Sequence, residues 1–201
     1  MIKDEYRSIK NISRGYYKDR GSKFISVAIP VESEDQVKER LDEYKKKYHD
    51  ARHHCFAYKL GTDDDEWRVN DDGEPSGTAG NPIMGQIRSF DLSDILIIVI
   101  RYFGGTLLGT GGLIKAYREA ARDALENSRI VDKTIDCTYR LNFPYEAMND
   151  VMKIIKDRNL EQSGQDFGLD CSLTVSFRAS LEDEITERFR LLDKLVFTKT
   201  G

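Results

Sequence analysis

The chain has 201 residues, 39% hydrophobic and 33% charged, with only four prolines, a profile that excludes a disordered or collagen-like chain and suits one or two folded domains. Acidic residues outnumber basic ones, 35 to 31, for a formal charge of −4; indiscriminate wrapping of nucleic acid is disfavoured, and any RNA contact requires a local basic patch. Three scattered cysteines, Cys55, Cys137 and Cys171, lack any C-x-x-C spacing, so neither a disulfide framework nor a metal site is expected.

Met1 to Lys10 is charged without an apolar core, and the longest apolar run, Ile95 to Ile100, is far shorter than the ~20 residues of a membrane span. A cytoplasmic chain without a membrane segment is therefore expected. Gly21 to Val31 is rich in β-branched and aromatic residues and reads as a strand. Ser33, with Gln36 three positions on, then caps a helix whose apolar stripe is Val37, Leu41, Tyr44 and Tyr48. Lys45 to Lys47 is its solvated end. Residues 52 to 60 (RHHCFAYKL) read as a second strand, and the acidic run Asp63 to Glu66 as an exposed turn.

Residues 71 to 82 (DDGEPSGTAGNP) are too dense in glycine and proline for a regular element and precede a short helix around Ile83 to Arg88. Ile95 to Ile100 (ILIIVI) is of strand length and apolar throughout, as expected of a central strand buried on both faces. After a glycine-rich turn, Leu113, Ala116, Tyr117, Ala120, Ala121, Ala124 and Leu125 form the apolar face of a helix ending near Asn127. The first domain closes around Val131, giving boundaries of 1–131 and 132–201. The second domain reads strand (Ile135 to Leu141), helix (Pro144 to Arg158), hairpin (Leu160 to Phe167 and Cys171 to Phe177), helix (Leu181 to Leu192, capped by Ser180) and strand (Leu195 to Thr198). That βαββαβ order fits a ferredoxin-like domain, and the fold class is α+β.

The segment most able to carry chemistry is Ile95 to Tyr117. A buried strand ends in Arg101, and the pairs Gly104–Gly105 and Gly111–Gly112, with Gly109 between them, stand before a helix. Glycine allows close backbone approach, and a helix start offers unpaired N–H groups and partial positive charge, so these residues form a candidate anion site. Lys115, Arg118 and Arg122 share one helix face and extend it, or simply form a solvated face. No P-loop or dinucleotide fingerprint is present. His53, His54 and Cys55 adjoin one another in a strand, so alternate faces prevent all three from joining one site. His54 with Asp72 or Glu74 is a candidate acid/base pair, and Arg101 with either carboxylate is a candidate ion pair holding the loops.

In order, Ala51 to Tyr58 (ARHHCFAY), Asp71 to Pro82 and Arg101 to Leu113 (RYFGGTLLGTGGL) resemble the IMPACT/YigZ family over roughly residues 15 to 128, and the remainder is similar to the domain that follows in bacterial members. The resemblance implies a first domain with the fold of the second domain of ribosomal protein S5, and a second like one in translation elongation factor G. It implies a translation-associated protein contacting RNA, the ribosome or a translation factor, without a cofactor, and the glycine loops and Arg101 point to a glycine-rich cleft as the contact. Eukaryotic members resembling it regulate translation through an extra N-terminal domain that contacts the activator of a stress kinase, and that partnership is not carried over. The alternative is an enzyme acting on a small phosphorylated metabolite or nucleotide. The expected binding residues are Arg101, Gly104, Gly105, Gly109, Gly111, Gly112, Lys115, His54, Asp72 and Glu74, and the resemblance assigns no catalytic residue.

Overall fold

The computed structural model describes residues 4–62, 66–168 and 170–201. Most of the acidic run at 63–66, expected to form a turn, lies outside the described residues. The chain is mixed α and β and divides into two compact units, Tyr6–Lys133 and Thr134–Gly201, the latter joined by residues up to Glu5. Among the described residues no helix is long and apolar enough to cross a membrane.

In chain order the first unit contains strands β1 (Glu5–Ile9), β2 (Ser13–Asp19) and β3 (Ser22–Pro30), helix α1 (Glu34–Lys47), strands β4 (His53–Lys59) and β5 (Trp67–Asn70), helix α2 (Gly80–Ser89), strand β6 (Ile95–Tyr102), helix α3 (Gly109–Glu126) and strand β7 (Ile130–Thr134). Strands β1 and β7 pair with each other, while the main sheet has the order β2-β3-β6-β4-β5, with every neighbouring pair antiparallel.

Strand β6 lies at the centre because its first six residues, Ile95 to Ile100, are all apolar. Ile95, Ile97 and Val99 pack with residues of α2 and α3, while Leu96, Ile98 and Ile100 pack with Val37 and Tyr44 of α1. All six are 0% exposed, and full burial of such a side chain contributes roughly 1.5–3 kcal/mol. Helix α1 starts as expected: Gln36 N–H donates to the Ser33 hydroxyl, and the Gln36 side-chain oxygen accepts from Glu32 N–H.

Two helix starts in the first unit differ from the sequence expectation. Helix α2 begins at Gly80 rather than Ile83, because a carboxylate from outside the helix caps it. Helix α3 begins at Gly109, so Gly109, Gly111 and Gly112 form its first turn rather than a preceding loop. Glycine disfavours helix by about 1 kcal/mol, but Leu113, Ala116 and Tyr117 bury the face that follows.

The second unit contains strand β8 (Asp136–Pro144), helix α4 (Met148–Asp157), strands β9 (Glu161–Phe167) and β10 (Asp170–Arg178), helix α5 (Glu182–Arg190) and strand β11 (Val196–Lys199), in the sheet order β11-β8-β10-β9. Alternate residues of β8 and β10, among them Leu141, Phe143, Leu173 and Val175, pack with Val151 and Ile155 of α4 and Ile185 and Phe189 of α5. Ser180 does not cap α5. A 3-10 turn at Ala179–Leu181 intervenes and the cap position falls on Leu181. Instead Ser180 N–H donates to Asp4, which also accepts from Arg178; the Ser180 and Arg178 hydrogen bonds hold the Asp4 carboxyl below its ordinary range.

Candidate functional site

The site gathers where β6 ends. Strand register places Tyr17 opposite Phe24, Phe24 opposite Arg101, and Arg101 opposite His53. Arg101 is 6% exposed. Its guanidinium lies 5.5 Å from the Phe24 ring and 5.6 Å from the Phe103 ring, in the range of a cation–π contact. Arg101 Nη1 donates to Glu74 Oε1 at 2.6 Å, which is the pairing weighed as its alternative role. Its Nε is buried without a hydrogen-bond partner among the described residues.

Glu74 reaches this position because its loop is tied from within. The Asp71 carboxylate accepts from Gly77, Ala79 and Gly80 N–H at 2.8–3.0 Å, closing the turn and capping α2, whose own cap residue Ala79 has no side-chain bond. Asp72 stands at φ 41, a left-handed conformation that Asp tolerates better than most residues, and its carboxylate accepts His54 N–H at 2.6 Å. Glu74 Oε1 accepts a second hydrogen bond from the Tyr117 hydroxyl of α3 at 2.7 Å. The Cys55 thiol lies 3.3 Å from that hydroxyl and 3.0 Å from the Asp71 carbonyl. Burial pushes both Tyr117 and Cys55 well above their ordinary pKa values, with the Glu74 charge adding to the shift, so both stay protonated at neutral pH.

The histidine beside Glu74 is His53, with Nε2 4.0 Å from Oε1. His54 is not near Glu74, because alternation along β4 turns it to the α1 face, where Nε2 meets the Tyr48 carbonyl at 3.1 Å and Nδ1 lies 3.8 Å from Asp72. His53 Nδ1 lies 2.8 Å from the Asp72 carbonyl. A carbonyl only accepts, so neutral His53 carries its proton on Nδ1 and presents a bare Nε2 towards Glu74.

The glycines separate into two kinds. A Cβ on Gly104 would stand 1.9 Å from Gly21 C and 2.1 Å from Ser22 N, so Gly104 is required by the contact with the β2–β3 turn. Gly105 and Gly109 have φ of +86 and +73, and a Cβ on either of them or on Gly111 would meet nothing within 4 Å. Gly112 is tighter, with Leu108 Cβ at 3.0 Å. Leu108 at the cap position makes no side-chain bond to α3, and among the described residues the first-turn N–H groups are left open to a ligand. Lys115 is exposed one turn on, whereas Arg122, expected to extend the same track, is paired with Glu126 at 2.7 Å.

Sequence reasoning missed His53, Tyr117 and Asp71. Period-2 alternation already set His53 on the face of Cys55, but which face met the 71–79 loop was not legible. Asp71 caps a helix from eight and nine residues away, outside any local capping pattern.

Residues 20–125 match the model of the Impact N-terminal domain, a span that contains both glycine loops, Glu74, Arg101 and Tyr117. The chain belongs to the IMPACT family. It is 35% identical to the IMPACT family member YigZ of Escherichia coli over 67% of each chain. Identity is 40% to YvyE of Bacillus subtilis, over 57% of this chain and 52% of that one. A Haemophilus influenzae IMPACT family member is 31% identical over 83% and 84% of the two chains. Protein IMPACT of Rattus norvegicus is 31% identical over 45% of this chain and 30% of its own. The crystal structure of a hypothetical protein matches the whole of this IMPACT family chain, with a TM-score of 0.74 and 26% identity.

Proposed function

We propose that the chain is a translation-associated binding protein of the cytoplasm whose first unit contacts RNA, on the ribosome or with a translation factor, through the glycine-rich start of α3. The observation that carries this reading is the uncapped first turn of α3, where a Cβ on Gly111 would stand in open space. A glycine there costs helix stability, and the open space offers no packing reason for it. Close approach of a phosphate to the backbone N–H groups supplies a reason. The family resemblance supports the translation setting. The strand order of the second unit, which reads 4-1-3-2 in its own numbering, supports a ferredoxin-like assignment, and we assign the first unit to the fold of ribosomal protein S5 domain 2.

The test uses Gly111→Glu, whose Cβ would meet nothing within 4 Å and whose carboxylate would repel a phosphate at the helix start. Filter binding of labelled ribosomal RNA fragments and cosedimentation with ribosomes should both be lost in the variant while its melting curve stays near wild type. Undiminished binding would remove the α3 start from the interface. A second reading, turnover of a small phosphorylated metabolite or nucleotide, is favoured by His53 Nε2 lying 4.0 Å from Glu74 Oε1. Hydrolysis of a panel of nucleotides and sugar phosphates that disappears in His53→Gln would support it over the binding role.

A further inference from the structure

Strands β2 and β3 have one face covered by α3; on the other, Val27 and Ile29 of β3 are buried with α1, while the β2 side and the Lys23 end stay open. The covered face is marked by the Ser13 and Ser26 hydroxyls, which donate to the Ala124 and Ala120 carbonyls of α3 at 2.7 and 2.5 Å. By alternation, Arg14, Tyr16 and Lys18 of β2 and Lys23 and Ile25 of β3 occupy the other face. Arg14, Lys18 and Lys23 are exposed, and Tyr16 is 49% exposed. Register sets Tyr16 opposite Ile25 and Lys18 opposite Lys23, with Lys23 in turn opposite Tyr102 of β6.

Lys18 and Lys23 break a local rule. Like charges directly opposite on neighbouring strands destabilise a sheet, and neither lysine, nor Arg14, has an ion-pair partner among the described residues. Asp19, the nearest acidic residue in sequence, alternates to the α3 face, and Asp50 accepts the Tyr102 hydroxyl at 2.8 Å. Uncompensated local conflicts of this kind concentrate at functional surfaces. The edge of β2 is closed to strand addition, since Tyr16 N–H donates to Asp123 and Asn127 donates to the Arg14 carbonyl. What remains open is the face.

We propose that this face, Arg14, Tyr16, Lys18 and Lys23, is a track for single-stranded RNA, with the cations on phosphates and the Tyr16 ring under an unstacked base. The inference rests on the reading of this unit as one that contacts RNA, but it uses a surface separate from the α3 start. An aromatic ring set between two cations on one strand face suits a single strand, whose bases are free to stack, and not a duplex, whose bases already stack on each other. Three phosphate contacts predict a slope of about −2 for log affinity against log salt, at about −0.7 per contact for single strands.

The experiment measures fluorescence anisotropy of a labelled twelve-nucleotide oligouridine, a duplex of equal length and an oligoglutamate peptide, each with the full chain. Single-stranded RNA should bind best, and Tyr16→Ala should weaken it roughly fivefold to a hundredfold. Lys23→Glu should weaken it roughly tenfold and flatten the salt slope, by about 0.7 or more, while melting at or above the wild-type temperature, because it replaces a repulsive cross-strand pair with an attractive one. Loss of binding in Gly111→Glu with full binding in Tyr16→Ala and Lys23→Glu would overturn the track and leave the α3 site standing. The reverse pattern would support the track alone. Equal binding of duplex or oligoglutamate, or no binding of the oligouridine by the wild type, would overturn it.

Discussion

Arg101 and Glu74 form an ion pair at 2.6 Å with side chains only 7% and 4% exposed, and the Glu74 oxygen that takes the guanidinium also takes the Tyr117 hydroxyl. One carboxylate oxygen thus ties three elements together: the end of β6, the middle of α3 and the 71–79 loop. A charge pair at this depth adds little net stability over an apolar replacement, but losing one partner strands the other without water.

Arg101→Ala is therefore expected to destabilise the first unit by about 3–5 kcal/mol, read as a lower urea midpoint at unchanged slope. Glu74→Gln keeps a hydrogen-bonding group and should cost less. If Arg101→Ala melts like wild type, the pair is not holding the loop.

How much of this was legible in the sequence depends on burial. Strand β6 was readable because six consecutive apolar residues have few alternatives, and α1 because its cap and stripe agree. Strand β2, SRGYYKD, was not readable: it lies at a sheet edge with one open face, so polar and charged residues satisfy it as well as apolar ones. Strand β5 is four residues long and alternates too briefly to be seen. At the site, the Arg101–carboxylate pairing was one of two options the residue types allowed, and only tertiary structure selects Glu74 over Asp72. For His53 and His54, alternation gives the relative faces of two neighbours and not which of them looks at the loop.

Two glycines should respond in opposite directions to alanine. At Gly111 the backbone is helical and the added methyl meets nothing within 4 Å, so Gly111→Ala should stabilise the chain by about 0.5–1 kcal/mol. At Gly104 the methyl would overlap the backbone of Gly21 and Ser22, which only a shift of the β2–β3 turn can relieve. Gly104→Ala should lower the melting temperature clearly. Equal effects would mean that the contact between these turns is not formed in solution.

Acid should weaken the second unit through Glu182. Hydrogen bonds from Lys199 and then Tyr139 hold its carboxyl down at about 2, against an ordinary 4.5. Because the folded value is the depressed one, the stabilisation is present above about pH 4.5 and is lost as pH falls through about 2. Urea midpoints measured across that window should fall with pH in the wild type and fall less in Glu182→Gln. Parallel curves would show that Lys199 and Tyr139 do not engage Glu182 in solution.

Asp4 supplies the last test, because it belongs to the second unit despite lying at the other end of the chain. Its carboxylate accepts from Ser180 N–H at 3.3 Å and from Arg178 at 3.0 and 3.1 Å, and its carbonyl accepts from Ile135 N–H at 2.8 Å. The turn leading into α5 is therefore held from outside the 132–201 segment. We propose that the two units fold independently, with a consequence for where the chain is cut. A fragment of residues 132–201 should fold but melt below the same unit in the full chain, and Asp4→Ala in the full chain should reproduce much of that loss without altering the melting of the first unit. A 132–201 fragment as stable as the full-chain unit would show that Asp4 contributes nothing, and a fragment that fails to fold at all, with loss of both transitions in Asp4→Ala, would show a single cooperative unit.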